Sequence, residues 1–312
     1  FSGFAHSITL DCFCQDHGGL TSMCRCSRIG GKDLMRIMSA TIESPNIRIG
    51  HMRDHFNEFR IFAKKMFSHK GAIFALCLRY FVDSGSLSSP TILSAVSLIA
   101  MLSMIGGNLL ALKQTDLKRL LAYSSIAHLG YLLIAFVALQ TQSTRFAVEA
   151  SSVYVIAYML TSLVAFGIIN LLSSREGQAL ENSELSDYTG LFWRHPGLAL
   201  ALTFALLSLA GIPLTMGFIG KFYLLAAGAE AGLWALLAAL IIGSAIGLYY
   251  YLRVIITLIK PAAENQSNWE LGPRHATSCA VLAVFTVNLM IFGVYPEPLI
   301  DTVQSLSASL FR

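Results

Sequence analysis

From Gly71 onward the chain is a succession of apolar runs separated by short polar turns, and each run is apolar all round rather than along one stripe. Thr91 to Leu112 carries no charge. Leu120 to about Gln140 follows the brief charged turn Lys113–Arg119, and Ala150 to Leu172, Gly232 to Leu252 and Ala276 to Tyr295 repeat the pattern. Each run holds the ~20 residues that, at 1.5 Å rise, cross a hydrocarbon layer of roughly 30 Å. Gly71 to Val82 is shorter, half a span by length, and ends at Asp83 and the turn-rich Ser84–Pro90.

The stretch from Pro196 to Gly228 departs from this pattern. It is apolar or small almost throughout, carries one charge, Lys221, and as a straight helix would measure roughly 50 Å. Pro213, in Leu209-Ala-Gly-Ile-Pro213, lacks a backbone donor and clashes with the turn before it, so a break is predicted there. Irregular backbone at membrane depth survives only where protein covers it or where it lines a wet cavity. A broken span followed by a lone lysine therefore predicts an ion path. Three readings of Lys221 fit: a group that gains and loses a proton, a side chain snorkelling to an interface, or half of a static ion pair. Snorkelling is disfavoured by distance, since at least seven uncharged residues follow Lys221 and more than twenty precede it.

The predicted fold class is all-α, a polytopic transmembrane bundle with six full spans and one partial span. Composition agrees: 55% hydrophobic and 13% charged residues among 312 exclude a soluble domain. A net charge of +4 is no nucleic-acid signal in such a chain, and its meaning lies in which loops carry it. Loops 113–119, 173–195 and 253–275 hold Lys113, Lys118, Arg119, Arg175, Arg194, Arg253, Lys260 and Arg274, whereas the opposite side holds only Arg145 and Arg312. The basic side is expected to be cytoplasmic, with the Lys221 span running outward.

Residues 1–67 differ from the rest. They mix Asp, Arg, His and Cys without periodicity, and no stretch is long enough to span a bilayer. Cys12-x-Cys14 and Cys24-x-Cys26, with Asp11 and His17, depart from zinc-site spacing, so no metal site is expected. The opening also lacks signal-peptide order. Residues 1–67 are expected to be a non-homologous or misread segment, joined near Ser68, that contributes nothing to function; the membrane domain is 68–312.

Three further polar groups sit in apolar surroundings. Lys70 heads the partial span, where a helix-end anchor is the alternative to a buried role. His128 lies in Tyr123-Ser-Ser-Ile-Ala-His-Leu-Gly-Tyr131, either as a proton relay or as a group satisfied by Ser124, Ser125 and the tyrosines. Glu149 lies four residues after Arg145, and a local ion pair is expected. No phosphate loop, haem or iron–sulfur spacing, or nucleophile–base pair is present in the membrane part, so no redox cofactor is expected on this chain.

At this point the residues resemble a family. The run from Gly107 to Tyr131, with Asn108, Lys113-Gln-Thr-Asp-Leu-Lys-Arg119 and His128, is similar to the signature of the antiporter-like membrane subunits of respiratory complex I. Ser208-Leu-Ala-Gly-Ile-Pro-Leu-Thr-Met-Gly-Phe-Ile-Gly-Lys-Phe-Tyr223 and Gly243-Ser-Ala-Ile-Gly-Leu-Tyr-Tyr-Tyr-Leu-Arg253 resemble it too. The resemblance runs from about Ser68 to the end. It implies the C-terminal half of a fourteen-helix antiporter-like subunit, a proton-translocating part of NADH:quinone oxidoreductase in the bacterial inner membrane.

By resemblance Lys221 is the broken-helix lysine facing the outward half-channel, Lys70 the central-axis lysine and His128 a polar axis position, so the relay set is Lys221, Lys70 and His128. A sister subunit carries glutamate where Lys221 stands. NADH, flavin, iron–sulfur clusters and quinone would be bound by other subunits, and the implied partners are the complex's other membrane subunits, the lipid bilayer and protons. The family's upstream glutamate and lysine have no counterpart in residues 1–67. A subunit of a multi-subunit cation/proton antiporter, or a non-functional fragment, is the alternative.

Overall fold

The computed structural model describes residues 89–139, 144–175, 178–179, 184–261 and 276–310, all within the second of the chain's two compact units, Asp54–Arg312. The expectations for residues 1–67, for the partial span Gly71–Val82 and for Lys70 lie outside the described residues.

Nine α-helices make up almost all of what is described. They are α1 Pro90–Leu112, α2 Leu117–Ala138, α3 Thr144–Ser173, the single turn α4 Leu191–Arg194, α5 Pro196–Ala210, α6 Met216–Glu230, α7 Trp234–Ile259, α8 Ala276–Val294 and α9 Glu297–Leu310. Between α3 and α4 lie two paired two-residue strands, β1 Ser174–Arg175 and β2 Gln178–Ala179, and a 3-10 turn at Leu185–Tyr188. The class is all-α, as the apolar runs predict. Pro90 occupies the first turn of α1, where its missing N–H costs nothing, and the Asp116 carboxylate caps α2 by accepting from Arg119 N at 2.9 Å.

Helices α1, α2, α3 and α7 are long and apolar enough to cross a membrane, while α5 and α6, of 15 residues each, are not. At 1.5 Å per residue each reaches only ~22 Å, less than a hydrocarbon core. Two helices run past their predicted ends. Helix α3 begins at Thr144 rather than Ala150, and α7 continues to Ile259 rather than Leu252. A charge ends a membrane crossing but not a helix: Arg145 pairs with Glu149 one turn on, and Arg253 donates to Leu112 O at 3.2 Å and Gln114 O at 2.6 Å.

The expected outward tail is also helical. Helix α9 turns 84° from α8 and lies against α3, with Val303 and Ser307 buried at (i, i+4) spacing. Its polarity hides it from any reading built on long apolar runs.

Helix α3 is the hub, packing on α2, α5, α6, α8 and α9, while α1 lies between α2 and α7. Leu98, Ile99 and Leu102 of α1 and Ile241 and Ile242 of α7 face outward, as a hydrocarbon solvent requires. Inside, the apolar core falls into two clusters. One contains Ala157, Leu209 and Met216, the other Ala127, Tyr131, Tyr154 and Leu224. Lys221 sits between Met216 and Leu224, at the seam.

Candidate functional site

The break predicted at Leu209–Pro213 is built from backbone hydrogen bonds. Helix α5 ends at Ala210; Gly211 adopts φ 82°, a conformation that strains any residue with a Cβ. Gly211 N donates to Ser208 O and Ile212 N to Leu207 O, at 3.0 and 3.1 Å, which is a Schellman closure. Pro213 follows and cannot continue the helix. Leu214, also left-handed at φ 70°, completes the turn, and Thr215 caps α6 by accepting from Phe218 N at 3.4 Å.

An α-helix leaves its last four carbonyls without intrahelical donors. Here the Schellman bonds satisfy Leu207 and Ser208. The Lys221 ammonium takes the other two, donating to Leu209 O at 3.0 Å and Ala210 O at 2.8 Å. Lysine therefore closes the half-helix, at the negative end of its dipole. Glycine at 211 matters twice, since a Cβ there would stand 2.8 Å from Lys221 Cδ. A Cβ at Gly217 would overlap the Ser208 carbonyl, so glycine is what lets the start of α6 reach α5.

Lys221 is 6% exposed, and among the described residues no carboxylate reaches it. The static ion pair considered above has no carboxylate partner among the described residues. Snorkelling is likewise absent, because the ammonium is held at the break. The Tyr131 ring lies beneath Nζ, 5.3 Å from its centroid.

Lys221 shares a small cavity with His128, Tyr154, Tyr158, Thr161 and Ser208, with room for about one water molecule. His128 Nδ1 and the Tyr154 hydroxyl are 2.7 Å apart, and the imidazole is stacked on Tyr158 and edge-on to Tyr131. The local sequence offered Ser124, Ser125 and the tyrosines as its partners, and a tyrosine hydroxyl does bond it, from the next helix. Both serine hydroxyls donate to Leu121 O at 2.9 Å, since in a helix a serine reaches the carbonyl of the previous turn readily. On the cavity wall Thr161 donates to Ala157 O at 2.7 Å, Ser208 shares a 3.0 Å bond with Thr161, and Gly217 N donates to Ser208 Oγ.

A second polar group adjoins the first through Tyr131. Asn108, on α1, donates to the Tyr131 hydroxyl at 2.8 Å and accepts from the Tyr250 hydroxyl at 3.0 Å. Gly243 makes room, since a Cβ there would lie 2.8 Å from the Tyr131 oxygen. Of the residues singled out from the sequence, Lys221, His128 and Tyr131 are brought together here, and Asn108, Tyr154, Thr161 and Tyr250 join them without having been singled out for a role. Asn108, a lone amide in a charge-free span, was the available signal. Lys70 lies outside the described residues.

Glu149 is as buried as Lys221, at 7% exposure, and its surroundings differ. It accepts from Arg145 Nε at 3.3 Å, the expected (i, i+4) pair, and from Ser307 Oγ of α9 at 3.1 Å.

A run of apolar helices with one helix broken and closed by a buried lysine, beside a histidine and a water-sized cavity, places the chain among polytopic membrane proteins with a discontinuous helix. The chain matches, over residues 62–247, the family described as the NADH:quinone oxidoreductase/Mrp antiporter transmembrane domain. It belongs to that family. It is 49% identical over 237 residues, covering 76% of this chain and 47% of the relative, to NADH-quinone oxidoreductase subunit N of Methylococcus capsulatus.

Respiratory complex I from Thermus thermophilus with bound aureothin contains a similar chain, with TM-score 0.58 and 32% identity over 67% of this chain and 45% of that one. The Mrp complex of Dietzia sp. DQ12-45-1b contains another, with TM-score 0.63 and 19% identity over 77% and 51% of the two chains, a likeness of fold alone. The chain spans about half the length of the relatives it matches.

Proposed function

We propose that this chain works as a proton-translocating membrane subunit of an NADH:quinone oxidoreductase, with Lys221 as the group that takes up and releases the proton. The observation carrying the reading is that a buried ammonium is held by two backbone carbonyls and a tyrosine ring, with no carboxylate among the described residues. Carbonyls orient the amine in either protonation state, because they need no countercharge. A water in the cavity would pass the proton between Lys221 and the His128–Tyr154 pair. Lys70 is proposed as the next group along the axis. A positive charge on one lysine disfavours a proton on the next, which couples the sites electrostatically.

On this reading the electron-transfer chemistry lies elsewhere. NADH, flavin, iron–sulfur clusters and quinone would be held by other subunits, this chain would contact other membrane subunits and lipid, and the location would be the bacterial inner membrane with the basic face cytoplasmic.

The test is Lys221→Arg in the complete subunit within its assembled complex. Arginine keeps the positive charge and is effectively never deprotonated. The expected outcome is a normal amount of complex with strongly reduced proton translocation and quinone-linked NADH oxidation; wild-type rates would overturn the assignment. Sodium-dependent transport lost with the same substitution would favour the antiporter reading, which the breadth of the matched family keeps open.

A further inference from the structure

A buried amide in an apolar helix is unfavourable unless its polar groups are used, and Asn108 of α1 uses all of them. Its two N–H groups go to Met104 O at 2.6 Å and the Tyr131 hydroxyl at 2.8 Å, and its Oδ1 accepts from the Tyr250 hydroxyl at 3.0 Å. Three glycines make room for this arrangement. A Cβ at Gly107 would stand 2.8 Å from Ala127 N, and one at Gly130 2.9 Å from Met104 N, so α1 and α2 meet backbone to backbone beside the pair. On α7, a Cβ at Gly243 would lie 2.8 Å from the Tyr131 oxygen and 2.9 Å from Asn108 Nδ2. Apolar side chains would fill the same seam without these requirements, so packing alone does not account for the amide.

What the amide holds is one ring. The Tyr131 hydroxyl is the tethered end, and the ring lies under Lys221 Nζ, 5.3 Å from the centroid, with the His128 imidazole edge-on to it at 5.4 Å. Leu209 O and Ala210 O are fixed by the backbone of the break, and an ammonium or a neutral amine has N–H groups enough to donate to both. The ring differs in both respects. Its negative face attracts an ammonium and not a neutral amine, and a side-chain tether, rather than backbone, sets its place. Among the described residues none of α1 or α7 lines the Lys221 cavity, so Tyr131 links those two helices to the amine.

We propose that the Tyr131 ring is the adjustable contact of the Lys221 ammonium, and that Asn108 is the positioning residue that holds it there. This rests on the reading of Lys221 given above and adds to it two residues on other helices. A shift of α1 or α7 that loosens the bond between Asn108 and Tyr131 moves the ring relative to the amine. Charge at the break is thereby coupled to the packing of helices that do not line its cavity.

The experiment uses the complete subunit in its assembled complex, in sealed membrane vesicles, with the amount of assembled complex compared throughout. Phenylalanine, then phenylalanine with one, two and three ring fluorines, is incorporated at position 131. Fluorine drains the negative face of the ring while its shape and packing change little. Proton translocation should fall stepwise, about fivefold to tenfold across the series, the rate equivalent of a desolvated cation–π contact. Equal rates across the series would overturn the role of the ring, because packing does not sense the quadrupole.

The tether is tested by a double-mutant cycle. Tyr131→Phe cuts it from the ring side and should itself pump about twofold or more below the parent, the rate equivalent of one hydrogen bond; the parent rate would overturn the tether. Asn108→Leu should give a similar loss in the parent and add nothing in Tyr131→Phe, which has no hydroxyl to hold. An equal loss in both backgrounds would make Asn108 a staple between helices and not the residue that positions the ring. Lys221→Met separates this proposal from the reading it rests on. If Lys221→Met still pumps, the reading of Lys221 fails; if it stops pumping while the fluorine series is flat, the role of the ring alone is wrong.

Discussion

Lys221 and Glu149 are both ionisable groups buried to almost the same degree, and they are held in opposite ways. Glu149 lies near the start of α3, pairs with an arginine side chain that is 61% exposed, and accepts a hydroxyl from the terminal helix α9. Lys221 lies at the break between α5 and α6, faces the carbonyl end of the broken helix and is held by neutral groups. Burial alone thus says little about use. A charge with a fixed opposite charge ties elements together; a charge held by neutral carbonyls beside a cavity has no countercharge to strand when it loses its proton.

The largest effect that separates the two groups should come from exchanging each for a neutral analogue. Lys221→Met keeps helix propensity and removes the titratable amine, and translocation should fall about 100-fold or more, as for other lost acid–base groups. Glu149→Gln keeps shape and hydrogen bonding, and translocation measured in the same vesicles should stay near the parent rate. Equal losses from both would erase the distinction.

Gly211→Ala comes next. Its Cβ would press on the Lys221 stem while the left-handed backbone costs about 1–2 kcal/mol, so both thermal stability and translocation should drop. A stability loss with full translocation would mean that the position of the amine at the break is unimportant.

Glu149→Ala should act on structure. It leaves the Ser307 hydroxyl on Gln304 O alone and removes both the ion pair and the one side-chain bond from α3 to Ser307, at a cost of about 1–2 kcal/mol, and α9 should become sensitive to limited proteolysis. The smallest effect belongs to Ser307→Ala, about 1 kcal/mol off the unfolding free energy with no change in translocation, read from thermal unfolding in detergent.

Much of this was legible from local pattern. Apolar length located α1, α2, α3, α7 and α8, the Gly-Ile-Pro run located the break, and the spacing of Arg145 and Glu149 foretold their pair. The errors have physical causes. Ends of α3 and α7 were placed at charges, although charges limit burial and not helicity. Helix α9 was missed because a 14-residue amphipathic helix lies below the length that signals a span. For His128 the sequence offered the serines and tyrosines of its own helix, and it could not offer Tyr154, which lies on the next helix.

What the amino-acid sequence determined by itself is therefore what depends on one segment at a time: membrane class, the number and order of apolar runs, the kink forced by Pro213 and the anomaly of a lone lysine. Hydrophobic length and the missing N–H of proline act within a few residues, so they need no fold to be read. Tertiary structure alone decided what holds the lysine. Leu209 O and Ala210 O lie one half-helix away, the Tyr131 ring is on α2, and the Asn108–Tyr250 bond joins residues 142 apart. Such contacts arise from how helices pack, and helix packing is set by side-chain surfaces meeting across the bundle rather than by any periodicity along the chain.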